Sequence, residues 1–142
     1  MSKDLTTSQI DRQNILNNDL AVNEIQNQTG IQGIIFDGRL RFTKSMVATY
    51  FNVDVRTIER YVSDNSDEIT ANGYEILKGK KLKEFMDCVI AQDVPDINVG
   101  NISNRTPQIA IFDFKAFLNM AMLLAESENA KVLRQIMLDM QI

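Results

Sequence analysis

The apolar positions of residues 43 to 63 fall into two short runs that are separated by only a few residues. Within each run the apolar side chains are spaced so that they share one face of a helix. They are Val47, Ala48 and Phe51 in the first run, and Val55, Ile58 and Val62 in the second. Only Asn52, which tolerates a left-handed backbone, and the apolar Val53 precede the polar start of the second run. The pattern predicts two helices joined by a tight turn, which is a helix-turn-helix.

The polar residues of the second predicted helix fall opposite its apolar stripe. Asp54 precedes this helix, and its carboxylate can accept amide hydrogens of the first turn. Ala48 lies where the two helices would cross, so a larger side chain there would push them apart. The outer face carries Arg56, Thr57, Glu59 and Arg60. A recognition helix presents such a face to the major groove of DNA, although an ordinary helical hairpin with a solvated face shares the pattern.

The sequence before this segment predicts a helix and a β-hairpin. Residues 4 to 29 are rich in Asn and Gln and carry apolar side chains loosely at helical spacing, which predicts one helix that Gly30 ends. Its apolar residues are Ile10, Leu16, Leu20 and Ile25. Residues 32–36 and 39–42 alternate around Asp37-Gly38, and such a dipeptide is the strongest short signal of a hairpin.

The sequence after residue 63 predicts a mixture of strands and helices. Asn72-Gly73 marks a turn. The elements that follow are a strand (74–77), a helix (80–91), a loop that holds both prolines (93–107), a strand (108–112) and two helices (114–125 and 128–142).

A hairpin before two helices, with strands after them, is the order of a winged helix-turn-helix. We therefore expect an α+β fold of this type, with short β-hairpins and additional N- and C-terminal helices. The expected units are an N-terminal helical extension (1–29), a winged helix-turn-helix core (30–92), a loop (93–107), and a strand with C-terminal helices that pack on the core or form a dimer interface (108–142).

Lysines are concentrated in residues 74 to 83, which would supply the wing or the element after it. Among them, Lys78, Lys80 and Lys81 are candidates for contacts with DNA phosphates, which position a protein without reading the base sequence. The alternative is that these lysines only keep an exposed helix start soluble.

The charge of the chain is unevenly distributed. Its net charge is −4 and its pI is about 4.8, which by itself argues against a nucleic-acid-binding protein. Residues 39 to 83, however, carry a net charge of +3, whereas residues 1–38 carry −3 and residues 84–142 carry −4. The basic surplus therefore lies in and around the helix-turn-helix, although a charged run is often only a solvated face.

The composition argues against enzymatic chemistry and against metal or cofactor binding. The chain has no histidine, which removes the usual general base and the usual metal ligand. Cys88 is the only cysteine, so zinc-finger ligand sets and internal disulfides are excluded. Asp64, Asp67 and Glu68 superficially resemble a calcium loop but lack its glycine and its terminal glutamate. We expect no enzyme activity, no metal and no cofactor.

The sequence predicts a cytoplasmic protein. Its N-terminus is too polar for a signal peptide, and no apolar run approaches the roughly twenty residues that span a bilayer. A lone cysteine in a helical, apolar setting fits a reducing compartment.

Three segments resemble a known group of proteins. The runs FDGRLRFT (36–43), MVATYFNV (46–53) and RTIERY (56–61) are similar to bacterial virulence RhuM-type proteins and to the DNA-binding parts of phage antirepressors. The runs IFDFKAFLN (111–119) and AKVLR (130–134) look like the downstream strand and helices of the same group. The resemblance covers residues 34 to 142 and implies DNA binding, commonly in mobile-element or toxin–antitoxin settings.

These observations predict a regulator that binds double-stranded DNA as a homodimer. Arg56 and Arg60 are the first candidates for base or phosphate contacts, with Thr57 and Glu59 beside them, and Lys44 is a candidate for backbone contact. The alternative is a protein-interaction module, an antitoxin or adaptor, that uses its acidic faces and Met-rich C-terminal helices on a protein partner.

The expected dimer interface is the C-terminal helix, and the N-terminal helix over Ile10 to Ile25 is a further candidate for it. Its apolar stripe consists of Val132, Ile136, Met137 and Met140. Because the apolar pattern still runs at Ile142, either this stripe packs on a second protomer or the chain is a fragment of a longer protein.

Overall fold

Eight helices and four strands form within residues 4–92 and 107–140, the part of the chain that the structure, a computed structural model, describes. The helices are α1 (Gln9–Leu16), α2 (Asp19–Thr29), α3 (Lys44–Phe51), α4 (Val55–Asp64), α5 (Ser66–Ala71), α6 (Gly79–Gln92), α7 (Phe114–Leu123) and α8 (Glu128–Asp139). The strands are β1 (Ile34–Phe36), β2 (Arg39–Thr43), β3 (Tyr74–Lys78) and β4 (Gln108–Asp113). The predicted α+β class is confirmed.

The four strands form one antiparallel sheet in the order β1-β2-β4-β3. β1 and β2 are the predicted hairpin, with Phe36 paired to Arg39 across its turn. Both turn residues have positive φ, 53° at Asp37 and 72° at Gly38. A two-residue turn with these angles matches the twist of the strands that it joins, which is why the dipeptide predicts the hairpin.

Helices cover the two faces of the sheet. Successive strand residues point to opposite faces. Phe36 packs edge-on against Phe85 of α6, with 5.4 Å between ring centroids. Phe42 lies on the other face and stacks on Phe117 of α7 at 4.5 Å. Phe51 of α3 stacks on the same ring of Phe117 at 5.0 Å, so α3 and α7 share this face.

The turn before β3 requires a glycine. Gly73 has a φ of 112°, which side-chain-bearing residues rarely adopt, and a Cβ built there would overlap the carboxylate of Asp113. The amide of Asp113 donates to the carbonyl of Gly73 at 3.2 Å. The predicted turn is confirmed, and it holds the start of β3 against the end of β4.

The N-terminal region forms two helices, so the prediction of one helix over residues 4 to 29 is wrong. Asn17 ends α1. The side chain of Asn18 accepts a hydrogen bond from the amide of Ala21 at 3.2 Å and starts α2. Asn side chains compete with helical hydrogen bonds in this way, and the loose apolar spacing concealed the break.

Residues 66–71, for which the apolar pattern predicts no element, form α5. Most of the predicted loop, residues 93–106, and the last two residues of the chain lie outside the described residues. The division into four units stays a prediction.

A buried polar network joins α1 to α5 and α7. The guanidinium of Arg12 donates from Nε and Nη2 to the two carboxylate oxygens of Glu68, at 2.8 and 2.7 Å, and from Nη1 to the carbonyl of Leu5 at 2.9 Å. Asn119 of α7 donates to Glu68 at 2.6 Å and accepts from Asn72 at 3.0 Å. Both side chains of the ion pair are less than a tenth exposed, so each charge depends on the other.

The stripe predicted for a dimer interface divides between the core and the surface. Met137 is 1% exposed and belongs to the core, which corrects its place in the predicted interface. Val132 is 59% exposed, and Ile136 and Met140 are partly buried. The apolar residues of α8 lie on more than one face of the helix. Their spacing in the sequence therefore could not show which of them are buried in the core and which lie at the surface.

No helix within residues 4–92 and 107–140 combines the length and the hydropathy that crossing a bilayer requires.

Replacing Arg12 with Ala should lower the free energy of unfolding by about 3–5 kcal/mol, because it leaves the Glu68 carboxylate buried without its cation. Arg39→Ala is the control, since Arg39 pairs with Asp113 at 3.5 Å while 60% exposed and should cost less than about 1 kcal/mol. Urea denaturation of both variants measures the difference. An equal loss of unfolding free energy in both variants would show that the buried Arg12–Glu68 pair stabilises the fold no more than an exposed ion pair does.

Stability should fall as the solution becomes acidic, in part because of Glu68. Burial raises the pKa of Glu68, but hydrogen bonds from Arg12 and Asn119 and the charge of Arg12 outweigh it and leave the pKa below its ordinary value of 4.5. A lowered folded-state pKa stabilises the fold above 4.5, and this contribution is lost as pH falls through the folded-state value. Denaturation of Glu68→Gln across this range should show a smaller pH dependence than the parent. An unchanged dependence would contradict the assignment.

Candidate nucleic-acid interface

The turn between α3 and α4 has the geometry that its sequence predicts. Asn52 follows α3 in the left-handed conformation, with φ 54° and ψ 49°. The amide of Val53 donates to the carbonyl of Ala48 at 3.0 Å, which closes the end of α3. Asp54 then accepts from the amide of Arg56 at 2.9 Å and caps the start of α4. Three residues therefore join α3 to α4, and the prediction of a tight turn is confirmed.

The inner faces of α3 and α4 are buried as predicted. Val47 and Ile58 are fully buried, and Ala48 and Phe51 are no more than 3% exposed. Val55, Tyr61 and Val62 are partly buried and pack against the same core. Because these side chains fix the inner face of α4, its opposite face is fixed toward the outside.

The outer face of α4 carries most of the residues predicted to contact DNA. Arg56, Glu59 and Arg60 are exposed, whereas Thr57 is half-buried. Lys44 stands at the start of α3 and is also half-buried. The structure thus brings these five predicted residues onto two adjacent helices.

Acidic partners already hold two of the three basic residues of this surface. Lys44 Nζ lies 3.7 Å from Glu59 Oε2. Arg60 Nη2 lies 3.4 Å from Glu126 Oε1, and the Arg60 guanidinium also lies over the ring of Tyr61, 5.2 Å from its centroid. Arg56 forms no ion pair with any residue in 4–92 or 107–140.

Glu59 also lies near the sheet. Burial raises the pKa of Tyr74, and the negative charge of Glu59 raises it further. Tyr74 packs edge-on against Phe112, with 5.0 Å between ring centroids. Glu59 is therefore near enough to the start of β3 for its charge to act on Tyr74, and it also pairs with Lys44.

Side chains at the start of α8 donate hydrogen bonds to the end of α3. The sequence did not predict this contact. The hydroxyl of Ser127 donates to the carbonyl of Phe51 at 2.7 Å and accepts from the amide of Ala130 at 3.1 Å. The side chain of Asn129 donates to the carbonyl of Tyr50 at 2.8 Å. These bonds satisfy carbonyls that the end of a helix leaves without partners. A serine before an acidic first turn predicts the start of a helix. It does not predict that the serine hydroxyl also donates a hydrogen bond to α3.

The predicted lysine contacts lie apart from α4. Lys78 ends β3, and Lys80 and Lys81 lie in the first turn of α6, all three exposed. α6 packs on the Phe36 face of the sheet, whereas α3 packs on the Phe42 face. β3 leads directly into α6 and pairs with β4, so the strand after α4 is not part of a local hairpin.

The carboxylates that resemble a calcium loop are placed as structural groups. Asp64 ends α4, and Asp67 and Glu68 lie in the first turn of α5, where Glu68 binds Arg12. In residues 4–92 and 107–140, no three Cys, His, Asp or Glu side chains group closely enough to hold a metal ion.

Ala48→Leu should destabilise the fold by about 1–3 kcal/mol, because three extra carbon atoms have no room where α3 meets α4. Thr49→Leu provides the matched control, since Thr49 is the next residue of α3 and is exposed. Thermal or urea unfolding of the two variants gives the comparison. A parent-like stability for Ala48→Leu would mean that the helices do not cross at this residue.

No protein-family model, curated protein or solved structure matches this chain.

Proposed function

We propose that the chain binds double-stranded DNA sequence-specifically, with α4 in the major groove. The observation that carries this proposal is the pairing of α3 and α4 through a capped three-residue turn, with the apolar face of α4 buried and its basic face exposed. A major groove about 12 Å wide admits one helix, and the N-terminal part of a recognition helix contacts the base edges.

Arg56 is the strongest candidate for base reading. It lies in the first turn of α4, is exposed and has no ion pair among the described residues. An arginine can donate two hydrogen bonds to the O6 and N7 atoms of a guanine. Thr57, Glu59 and Arg60 are further candidates on the same helix, and Lys44 is placed to contact the phosphate backbone.

We further propose that Lys78, Lys80 and Lys81 form a second contact region. Their exposure favours phosphate contacts, and β3 with β4 would take the place of a wing. This winged helix-turn-helix interpretation is a separate proposal from base reading by α4, because Lys80 and Lys81 lie on α6, which packs on the Phe36 face of the sheet, whereas α3 packs on the Phe42 face.

The proposed biological role is transcriptional regulation in a mobile-element or toxin–antitoxin setting. The resemblance of residues 34–142 to RhuM-type proteins and phage antirepressors supports this role. We propose a cytoplasmic protein that has no catalytic activity and needs no cofactor.

A protein-interaction module is the second candidate function. It is favoured by large apolar side chains on the surface of α1, α2 and α8, where Ile10, Leu20 and Val132 are each more than half exposed. An antitoxin or adaptor could use these side chains on a partner protein.

Arg56→Ala and Arg60→Ala should each weaken DNA binding by about 1–3 kcal/mol if the two arginines contact bases. Both side chains are exposed, so folding should be unaffected. Arg39→Ala removes the same charge and the same side chain from the start of β2, outside both proposed contact regions, and is the control. Titration of duplexes selected from a random pool, at several salt concentrations, measures affinity and the number of phosphate contacts. If the parent binds no duplex at low salt, the interaction-module candidate is favoured.

We propose that the chain forms a homodimer through α8, because one helix-turn-helix covers only a half-site and two subunits can read both halves. Val132→Glu should convert the dimer to a monomer, since it places a charge on the exposed apolar residue of the predicted stripe. Gln135→Glu adds the same charge at another exposed position of α8 and should leave the dimer intact. Light scattering at micromolar concentration decides between the two states. A parent that is strictly monomeric would contradict the proposal.

A further inference from the structure

We propose that Glu126 makes DNA binding through α4 more sequence-specific. It forms an ion pair with Arg60, and this pair weakens binding to arbitrary DNA more than binding to the specific site. The inference rests on the proposed DNA-binding function and assigns a specificity-determining role to a residue outside the helix-turn-helix. Glu126 lies in the turn between α7 and α8, 66 positions after Arg60 in the chain.

The geometry leaves Arg60 partly free. Its Nη2 lies 3.4 Å from Glu126 Oε1, and the two side chains are 58% and 49% exposed. A guanidinium has five N–H groups in a planar fork, so one carboxylate oxygen does not occupy all of them. The side chain is more than half exposed, and Arg56 lies one helical turn earlier on the same helix and is also exposed.

The position of Glu126 is fixed by its neighbour. Ser127 is 4% exposed, caps α8 and donates to the carbonyl of Phe51 at the end of α3. The backbone that carries Glu126 is therefore bound to the helix-turn-helix itself. Because of this link, the backbone of Glu126 keeps its place beside the helix-turn-helix, within reach of Arg60.

A phosphate contact and a base contact by Arg60 have different costs. When Arg60 binds a phosphate, the Glu126 carboxylate lies beside the bound anion, and the repulsion between these two negative groups reduces the gain from the contact. To bind a guanine, Arg60 can donate from its free N–H groups to O6 and N7 while Nη2 stays near Glu126. Glu126 therefore lowers the affinity for arbitrary sequence more than the affinity for a site with a guanine opposite Arg60.

The test measures binding to a random-sequence duplex pool as a function of salt. Glu126→Gln should bind this pool about two- to fivefold more tightly than the parent, which is the range expected for an exposed ion pair. Its plot of log affinity against log salt should steepen by about 0.9, the value for one added phosphate contact. Glu128→Gln removes the same charge two residues further along the chain, on another exposed side chain, and should change both quantities less.

A double-mutant cycle separates the ion pair from the general loss of negative charge. In an Arg60→Ala background, Glu126→Gln should give no gain in affinity, because the cation that it releases is absent. Unfolding measurements on every variant confirm that each is folded.

The outcomes distinguish this inference from the proposed function. Equal gains from Glu126→Gln and Glu128→Gln, or a gain that persists without Arg60, would overturn the role of the ion pair while DNA binding stands. Failure of the parent and of Glu126→Gln to bind any duplex would overturn the proposed function and this inference with it. A parent that binds the pool weakly and a Glu126→Gln variant that binds it well would support both.

Discussion

The position of the helix-turn-helix on the sheet depends on the ring of Phe117. This ring stacks on Phe42 of β2 at 4.5 Å and on Phe51 of α3 at 5.0 Å, and Tyr50 meets it edge-on at 5.2 Å. One fully buried side chain of α7 thus contacts both the strand β2 and the helix α3. Aromatic contacts of this kind have preferred geometries, so the cluster fixes the orientation of α3 as well as its depth. The direction in which α4 presents its outer face follows from that orientation.

Hydrogen bonds from α8 complete what the aromatic cluster begins. Ser127 and Asn129 bind the last carbonyls of α3, and Arg134 donates to the carbonyls of Ala121 and Leu124 at the end of α7. Helix ends are where backbone acceptors lack partners, so each bond stabilises a helix and joins it to another. The C-terminal helix therefore supports α3 directly. A protein partner that bound α8 would therefore act on a helix that contacts α3. This contact connects the two candidate functions, DNA binding and protein interaction.

Short-range features were predictable from the sequence because their causes lie within a few residues. Asp37-Gly38 requires a hairpin turn, Asn52 accepts the left-handed backbone, and Asp54 caps the helix that follows it. Long-range pairs were not predictable, since Arg12 and Glu68 are 56 positions apart and no periodicity relates them. The same limit applies to surface apolar residues: a stripe at helical spacing shows that a face is apolar, but burial against α7 or against another protein depends on the assembled fold. The lysines of residues 78–81 illustrate this limit too, because their place relative to α4 depends on which face of the sheet α6 covers.

The negative charge of the chain constrains how it could bind DNA. Much of its basic character is compensated locally, since Arg41 pairs with Glu75 at 2.8 Å, Lys44 with Glu59 and Arg60 with Glu126. An acidic protein gains little from long-range attraction to a polyanion, which lowers both its association rate and its affinity for arbitrary sequence. Under the proposed function, binding would then depend on short-range contacts that form only when α4 fits the groove. Because Arg56 has no ion pair among the described residues, its full charge is available for such a contact, whereas Lys44 and Arg60 already share their charges with Glu59 and Glu126.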